Sequence, residues 1–233
     1  MPQSRTRKIA IAGALSAISV ILGVTHWGYI PWFSGASLTI MHIPVIIGAV
    51  LEGPIVGAAI GLIFGISSMI QAAAAPTGPT DVLFTNPLLA VIPRLFIGPV
   101  AWLVWTALKR WKPVGLVAAG IAGSLTNTIL VLGMIGLFGG HKLPFIIPAL
   151  VYVQNDCSLL IWYKIIPFME CLVNHFSFVF GSSIILPTVP WPILLGLGIT
   201  NGPLEAGAAA LLTLVVVAAW LQIPIGRKKG ANI

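Results

Sequence analysis

The sequence predicts an all-α integral membrane protein, a bundle of six transmembrane helices. Two observations carry that prediction. Of 233 residues, 58% are hydrophobic and only 7% are charged, whereas a soluble domain carries about 25% charged residues. So few charges cannot coat a globule in water, and several apolar stretches approach the 20 or so residues that cross a bilayer. The second observation is where the charge sits. Nine of the twelve Lys and Arg fall in three clusters, Arg5/Arg7/Lys8, Lys109/Arg110/Lys112 and Arg227/Lys228/Lys229. Each cluster abuts an apolar run, as cytosolic residues beside a membrane do. The clusters are too short to form the basic, aromatic-interleaved face of a nucleic-acid binder.

Span 1 covers residues 9–24, behind a basic start. It resembles a signal sequence but leads into further spans without a clear cleavage region, so it reads as a retained helix. The aromatic, turn-rich segment THWGYIPWFSGAS (25–37) follows. Span 2 covers 38–51 and is short. Glu52-Gly53-Pro54 is a tight reversal into span 3, residues 54–74, with Pro54 suited to a first helical position. APTGPTDVLFTN (75–86) is a loop by its Pro, Gly, Asp and Asn content. Span 4, residues 87–108, contains Pro93 and Pro99 and should be kinked. Span 5 covers 114–138. Span 6, residues 204–222, is introduced by Asn201-Gly202-Pro203. Residues 139–200 are apolar but broken by prolines and polar groups. They read as an external excursion with interfacial or re-entrant helices, or as two more spans. Six or eight spans place both termini and all three basic clusters on the cytosolic side.

Glycine recurs at every fourth place in LEGPIVGAAIGLIFG (51–65): Gly53, Gly57, Gly61 and Gly65. Inside a bilayer, hydrophobicity does not drive helices together, but close backbone approach does, and small residues permit it. Span 5 repeats the device with Gly115, Ala119 and Gly123. Span 1 carries Ala10 and Ala14, with Gly13 and Ala17 alongside. Such strips serve either packing within the bundle or a groove for a partner subunit.

Polar groups at membrane depth are costly and mark functional or paired positions. Arg94 lies seven residues into span 4, about 10 Å deep by helical rise. Asn201 and Glu205 share a helical face, with Glu205 placed in the first turn of span 6, where the helix dipole favours a carboxylate. Asn127 lies in span 5 and His42 near the external end of span 2. These groups can line one outward-opening cavity, or Arg94 and Glu205 can neutralise each other to hold the bundle. Trp27, in a candidate aromatic lid or interfacial belt, and Asn86, at the external end of span 4, complete the candidate substrate-binding set.

Catalytic and cofactor signatures are missing: no GxxxxGK[ST] for a nucleotide, no HExxH, no GxSxG, and no His/Cys spacing for a metal. Five acidic residues are little material for an ion relay. Cys157 and Cys171 read as buried thiols or as a disulfide if their loop is external. A binding subunit that takes its energy from elsewhere fits better than an enzyme.

Three stretches carry a family resemblance. SLTIMHIPVIIGAVLEGPIVGAAIGLIFGISSM (37–69), SLTNTILVLG (124–133) and TNGPLEAGAAALL (200–212), together with NPLLAVIPRLFIGP (86–99), resemble the substrate-binding S components of energy-coupling factor (ECF) vitamin transporters, in the pantothenate-type branch. The resemblance covers most of 1–138 and 200–225, while 139–200 is longer than that branch leads one to expect. It implies a six-helix bundle in a prokaryotic cell membrane. The bundle captures a vitamin-like small molecule from outside and docks on a transmembrane scaffold subunit with two ATPase subunits. It places the docking surface on an AxxxA pattern, here Ala10 and Ala14, and needs no cofactor. Arg94 would bind the pantothenate carboxylate, with Asn127, Asn201 and Glu205 on the amide and hydroxyls. Folate or cobalamin is the nearest alternative cargo, and a stand-alone secondary transporter or channel is the alternative of a different class.

Overall fold

The computed structural model describes residues 5–30, 38–74, 81–138 and 191–223. Helix α1 spans Arg5–Val24. A minimal antiparallel pair follows, β1 (Tyr29–Ile30) and β2 (Leu38–Thr39), with Tyr29 opposite Thr39. Then come α2 (Ile43–Glu52), α3 (Pro54–Ala74) and a short 3-10 turn (Asp81–Thr85). The bundle is completed by α4 (Pro87–Ala90), α5 (Ile92–Ala107), α6 (Lys112–Phe138) and α7 (Trp191–Trp220). Among the described residues, five helical stretches are long and apolar enough to cross a membrane, the stacked pair α4–α5 counting as one; α2 is shorter. Ile55, Ile70, Phe96, Ile129 and Leu211 point outward, each at least half exposed. That is how a bundle looks when its solvent is lipid.

The glycine strip of α3 is answered by α4 and α5. A Cβ on Gly57 would lie 2.9 Å from the Cα of Gly98, one on Gly61 would strike the carbonyl of Arg94, and one on Gly65 would lie 2.8 Å from the carbonyl of Ala90. The partners descend 98, 94, 90 as the glycines ascend, so the two helices run antiparallel with their backbones in contact. In α6, Gly115 meets Trp105 and Gly123 meets Ile46 and Ala101, while Gly120 meets the backbone of Ala209 and Ala210 in α7. For α3 and α6, therefore, the small residues pack the bundle internally. On α1 the outcome differs. Ser16, Ser19 and Gly23 face inward, while Ala10, Gly13, Ala14 and Ala17 are exposed, and nothing lies within 4 Å of a Cβ built on Gly13.

Antiparallel packing gathers the N-terminal end of α1, the α2–α3 turn and the α5–α6 turn at one end. There Arg7 Nε lies 3.0 Å from Glu52 Oε1, whose side chain is fully buried while that of Arg7 is 45% exposed. The pair lies at ion-pair distance without the angles of a hydrogen bond, so its attraction is Coulombic. Next to it, Gly53 adopts φ +103°, a left-handed conformation open to glycine, and lets Pro54 restart the chain as α3.

Two expectations are corrected, and a third is refined. Residues 38–51 do not form one helix. Leu38–Thr39 is a strand, and the helix begins at Ile43, behind which Pro44 occupies the first turn, where its missing N–H costs nothing. Residues 87–107 form one span, kinked as expected, with the bend at Val91 dividing it into α4 and α5. The last helix begins at Trp191, not residue 204, so residues 191–200 belong to it and not to an excursion. Asn201-Gly202-Pro203 lies inside that helix, because neighbouring helices support a proline that water would not tolerate. Glu205 is consequently mid-helix, and the dipole argument for it fails. Smaller differences place the starts of α1 and α6 at Arg5 and Lys112. Residues 139–190, with Cys157 and Cys171, and the 227–229 cluster lie outside the described residues.

Candidate functional site

The site begins with a proline. In a regular helix the carbonyl of Leu89 would accept from the N–H four residues on, but that residue is Pro93, which has none. Arg94 Nη1 donates to this carbonyl instead, at 2.6 Å. The break at Val91 thus leaves an acceptor in the apolar interior, and the next residue's guanidinium takes it. Two rings complete its seat. The guanidinium carbon lies 4.8 Å from the Phe84 ring centre and 5.6 Å from that of Phe64, distances at which aromatic faces attract a cation. Arg94 is 7% exposed, and its Nε has no hydrogen-bond partner.

Across the bundle, Glu205 is held by two other elements. Its Oε1 accepts from Thr39 N at 2.6 Å and from Thr39 Oγ1 at 3.1 Å, which ties strand β2 to α7. Its Oε2 faces Thr128 Oγ1 at 3.4 Å, and that hydroxyl also lies 3.3 Å from the Ser124 carbonyl. The single Thr128 proton serves one of the two acceptors at a time. Arg94 and Glu205 do not approach as an ion pair. Each group is held by its own neighbours: Arg94 by the Leu89 carbonyl and two rings, Glu205 by Thr39 and Thr128.

The remaining predicted residues divide. His42 precedes α2, is fully buried, and has no partner on Nδ1 or Nε2. Asn127 is buried with its Oδ1 unpartnered. Asn201 is buried one turn before Glu205, with its Oδ1 3.3 Å from Thr200 Oγ1. Asn86 caps α4 by accepting from Leu88 N at 3.0 Å, which leaves its amide nitrogen buried and unpartnered. Trp27 is 81% exposed and stays apart from this buried group. The arrangement is one buried cation, one buried carboxylate and several neutral amides and an imidazole on facing helices. It suits binding of a small polar molecule. Among the described residues no group of His, Cys, Asp or Glu can hold a metal ion.

A model of the family described as ECF transporter, substrate-specific component, matches residues 7–217. This chain belongs to that family. It is therefore a multi-pass membrane protein and the substrate-binding part of a transporter, not an enzyme. Two relatives narrow the branch. The S component is 33% identical over 158 residues to the pantothenic acid transporter PanT of Lactococcus lactis subsp. cremoris, covering 61% of this chain and 79% of that protein. It is 30% identical over 141 residues to the pantothenate transporter PanT of Leuconostoc mesenteroides subsp. mesenteroides, covering 58% and 69%.

Sequence reasoning missed the groups that hold the S component's charged pair: Thr39, Thr128, the Leu89 carbonyl, Phe64 and Phe84. One signal was available. Pro93 beside Arg94 announces a freed carbonyl within reach of a guanidinium. Thr39 carried no such signal, because its partner lies 166 residues away.

Proposed function

We propose that this chain binds pantothenate for an ATP-driven ECF importer. One observation carries the reading: a buried guanidinium, seated by two rings and a freed carbonyl, shares the interior with neutral amides and a carboxylate that is already hydrogen-bonded. Pantothenate has one carboxylate, an amide and two hydroxyls on a short apolar frame. Arg94 pairs with the carboxylate, its planar donors matching two oxygens. Asn127, Asn201 and Glu205 take the amide and hydroxyls, and His42 and Asn86 lie beside them. The names of the two relatives point to the same cargo.

The exposed strip Ala10, Gly13, Ala14 and Ala17 is the docking face for the transmembrane scaffold subunit, which works with two ATPase subunits. Its flatness allows a partner helix to approach backbone to backbone. The basic ends face the cytosol and Trp27 the outside.

Calorimetry on the purified chain tests the cargo, with pantothenate compared against its alcohol, panthenol, which lacks the carboxylate. The unsubstituted chain should prefer the acid by about 10- to 100-fold, the range of a charge-assisted hydrogen bond. Arg94→Met should erase that preference. Equal binding of acid and alcohol by the unsubstituted chain overturns the role of Arg94, and no binding of either overturns the cargo.

A further inference from the structure

Deeper than Arg94, and level with Glu205, lies a second group of buried polar atoms that nothing among the described residues satisfies. Ile46 of α2 faces Gly123 of α6, where an added Cβ would lie 2.6 Å from Ile46 Cγ1. These two helices run antiparallel, since Thr39 before α2 and Thr128 further along α6 meet on the same carboxylate. Residues four apart share a helix face. His42, one turn before Ile46, is therefore level with Asn127, one turn after Gly123. Ser124 lies four residues before Thr128, about 6 Å further into the bundle.

His42 and Ser124 are fully buried and Asn127 is 6% exposed. His42 Nδ1 and Nε2, Ser124 Oγ and Asn127 Oδ1 all lack hydrogen-bond partners. More than nine in ten buried polar groups in native proteins have a partner, so a cluster of orphans calls for one. The cluster's chemistry narrows the choice. It contains no charge. A neutral imidazole offers one donor and one acceptor, a serine hydroxyl offers both, and the Asn127 oxygen accepts. Alcohol groups, each donor and acceptor at once, match that set. A carboxylate, an acceptor only, does not.

We infer that His42, Ser124 and Asn127 form a floor that reads substrate hydroxyl groups and so sets the direction in which the substrate lies. The acid end sits at Arg94 and the hydroxylated end points deeper into the bundle. The inference rests on the pantothenate reading and deepens it. Asn127 keeps the role proposed for it above, His42 gains a defined one, and Ser124 enters as a specificity-determining residue.

The test is a two-by-two comparison by calorimetry on the full-length chain in detergent. The ligands are pantothenate and its dideoxy analogue, in which hydrogen replaces both hydroxyl groups. The proteins are the unsubstituted chain and Ser124→Ala, with His42→Gln as a second variant should the first lose its fold. The unsubstituted chain should bind pantothenate at least about 100-fold more tightly than the analogue, as expected for two lost hydrogen bonds with their partners left buried. Ser124→Ala should weaken pantothenate about tenfold and leave the analogue unchanged. If the substitutions weaken both ligands alike, or the unsubstituted chain binds both equally, the floor does not read hydroxyls and the pantothenate reading stands. If the unsubstituted chain binds no pantothenate, both are overturned.

Discussion

Arg94 is costly to keep where it is, and three neighbours offset the cost: the Leu89 carbonyl, Phe84 and Phe64. The carbonyl is available because position 93 has no N–H. Pro93→Ala would return that N–H, let the helix reclaim the carbonyl and loosen the guanidinium. Affinity for pantothenate should fall by about tenfold, the worth of one hydrogen bond to a charged group, although no group assigned to the ligand has been removed. A change of affinity smaller than twofold, by calorimetry, would show that the rings alone hold the guanidinium. Glu205 is the second residue whose neighbours define it. Glu205→Gln keeps one acceptor for Thr39 but turns the other toward Thr128 as a donor. A loss of about tenfold in binding is expected, with the thermal midpoint of the purified protein little changed. Arg94 and Glu205 were recognisable in the sequence because ionisable residues stand out in an apolar chain. Their settings were not, because Thr39, Phe64 and Phe84 are ordinary residues that become partners only through packing.

At the scale of the element, α3 was readable from residue 54 to residue 74, because Gly53-Pro54 marks its start and Pro76 and Pro79 follow its end. Its glycine strip is an internal seam, and each position can be checked. Gly61→Ala would drive a methyl group into the Arg94 carbonyl and so disturb both packing and site. The expected loss is about 1–3 kcal/mol, as for overpacking in a core, seen as a lowered thermal midpoint in detergent. Gly207→Ala, where nothing lies within 4 Å, should leave the midpoint unchanged and serves as the control. On α1 the same kind of strip faces outward, so Gly13→Leu should leave pantothenate binding intact. It should abolish co-purification with the scaffold and ATPase subunits. The start of α7 was misread because Asn-Gly-Pro signals a turn in water, whereas packing against α6 carries the helix through it. The strand at Leu38–Thr39 was missed because it is two residues long and is tied down by Glu205, 166 residues away.

Over the whole molecule, composition and charge placement identify a membrane bundle without any reference to its helix boundaries. The proposed orientation rests on the same charges and can be measured. After Cys157 and Cys171 are changed to serine, single cysteines at Arg5 and Lys109 should react with an impermeant thiol reagent only when the cytosolic face is open. One at Trp27 should react from outside the intact cell. Labelling of Arg5 and Lys109 positions from opposite faces would refute the proposed topology. One contact near the far end of the bundle has a larger consequence. The ring of Trp191 rests on Gly136, so that a Cβ there would lie 2.6 Å from Trp191 Cζ2. The chain therefore re-enters the bundle beside the place it left, and α6 and α7 form a hairpin whose two legs meet at the rim. A handful of glycines and serines can join the two described ends, and shortening a connection of this length changes the free energy of closure by only about 1–2 kcal/mol. A chain trimmed in this way should still assemble its bundle, and whatever it then fails to do becomes the measurable contribution of the excised stretch.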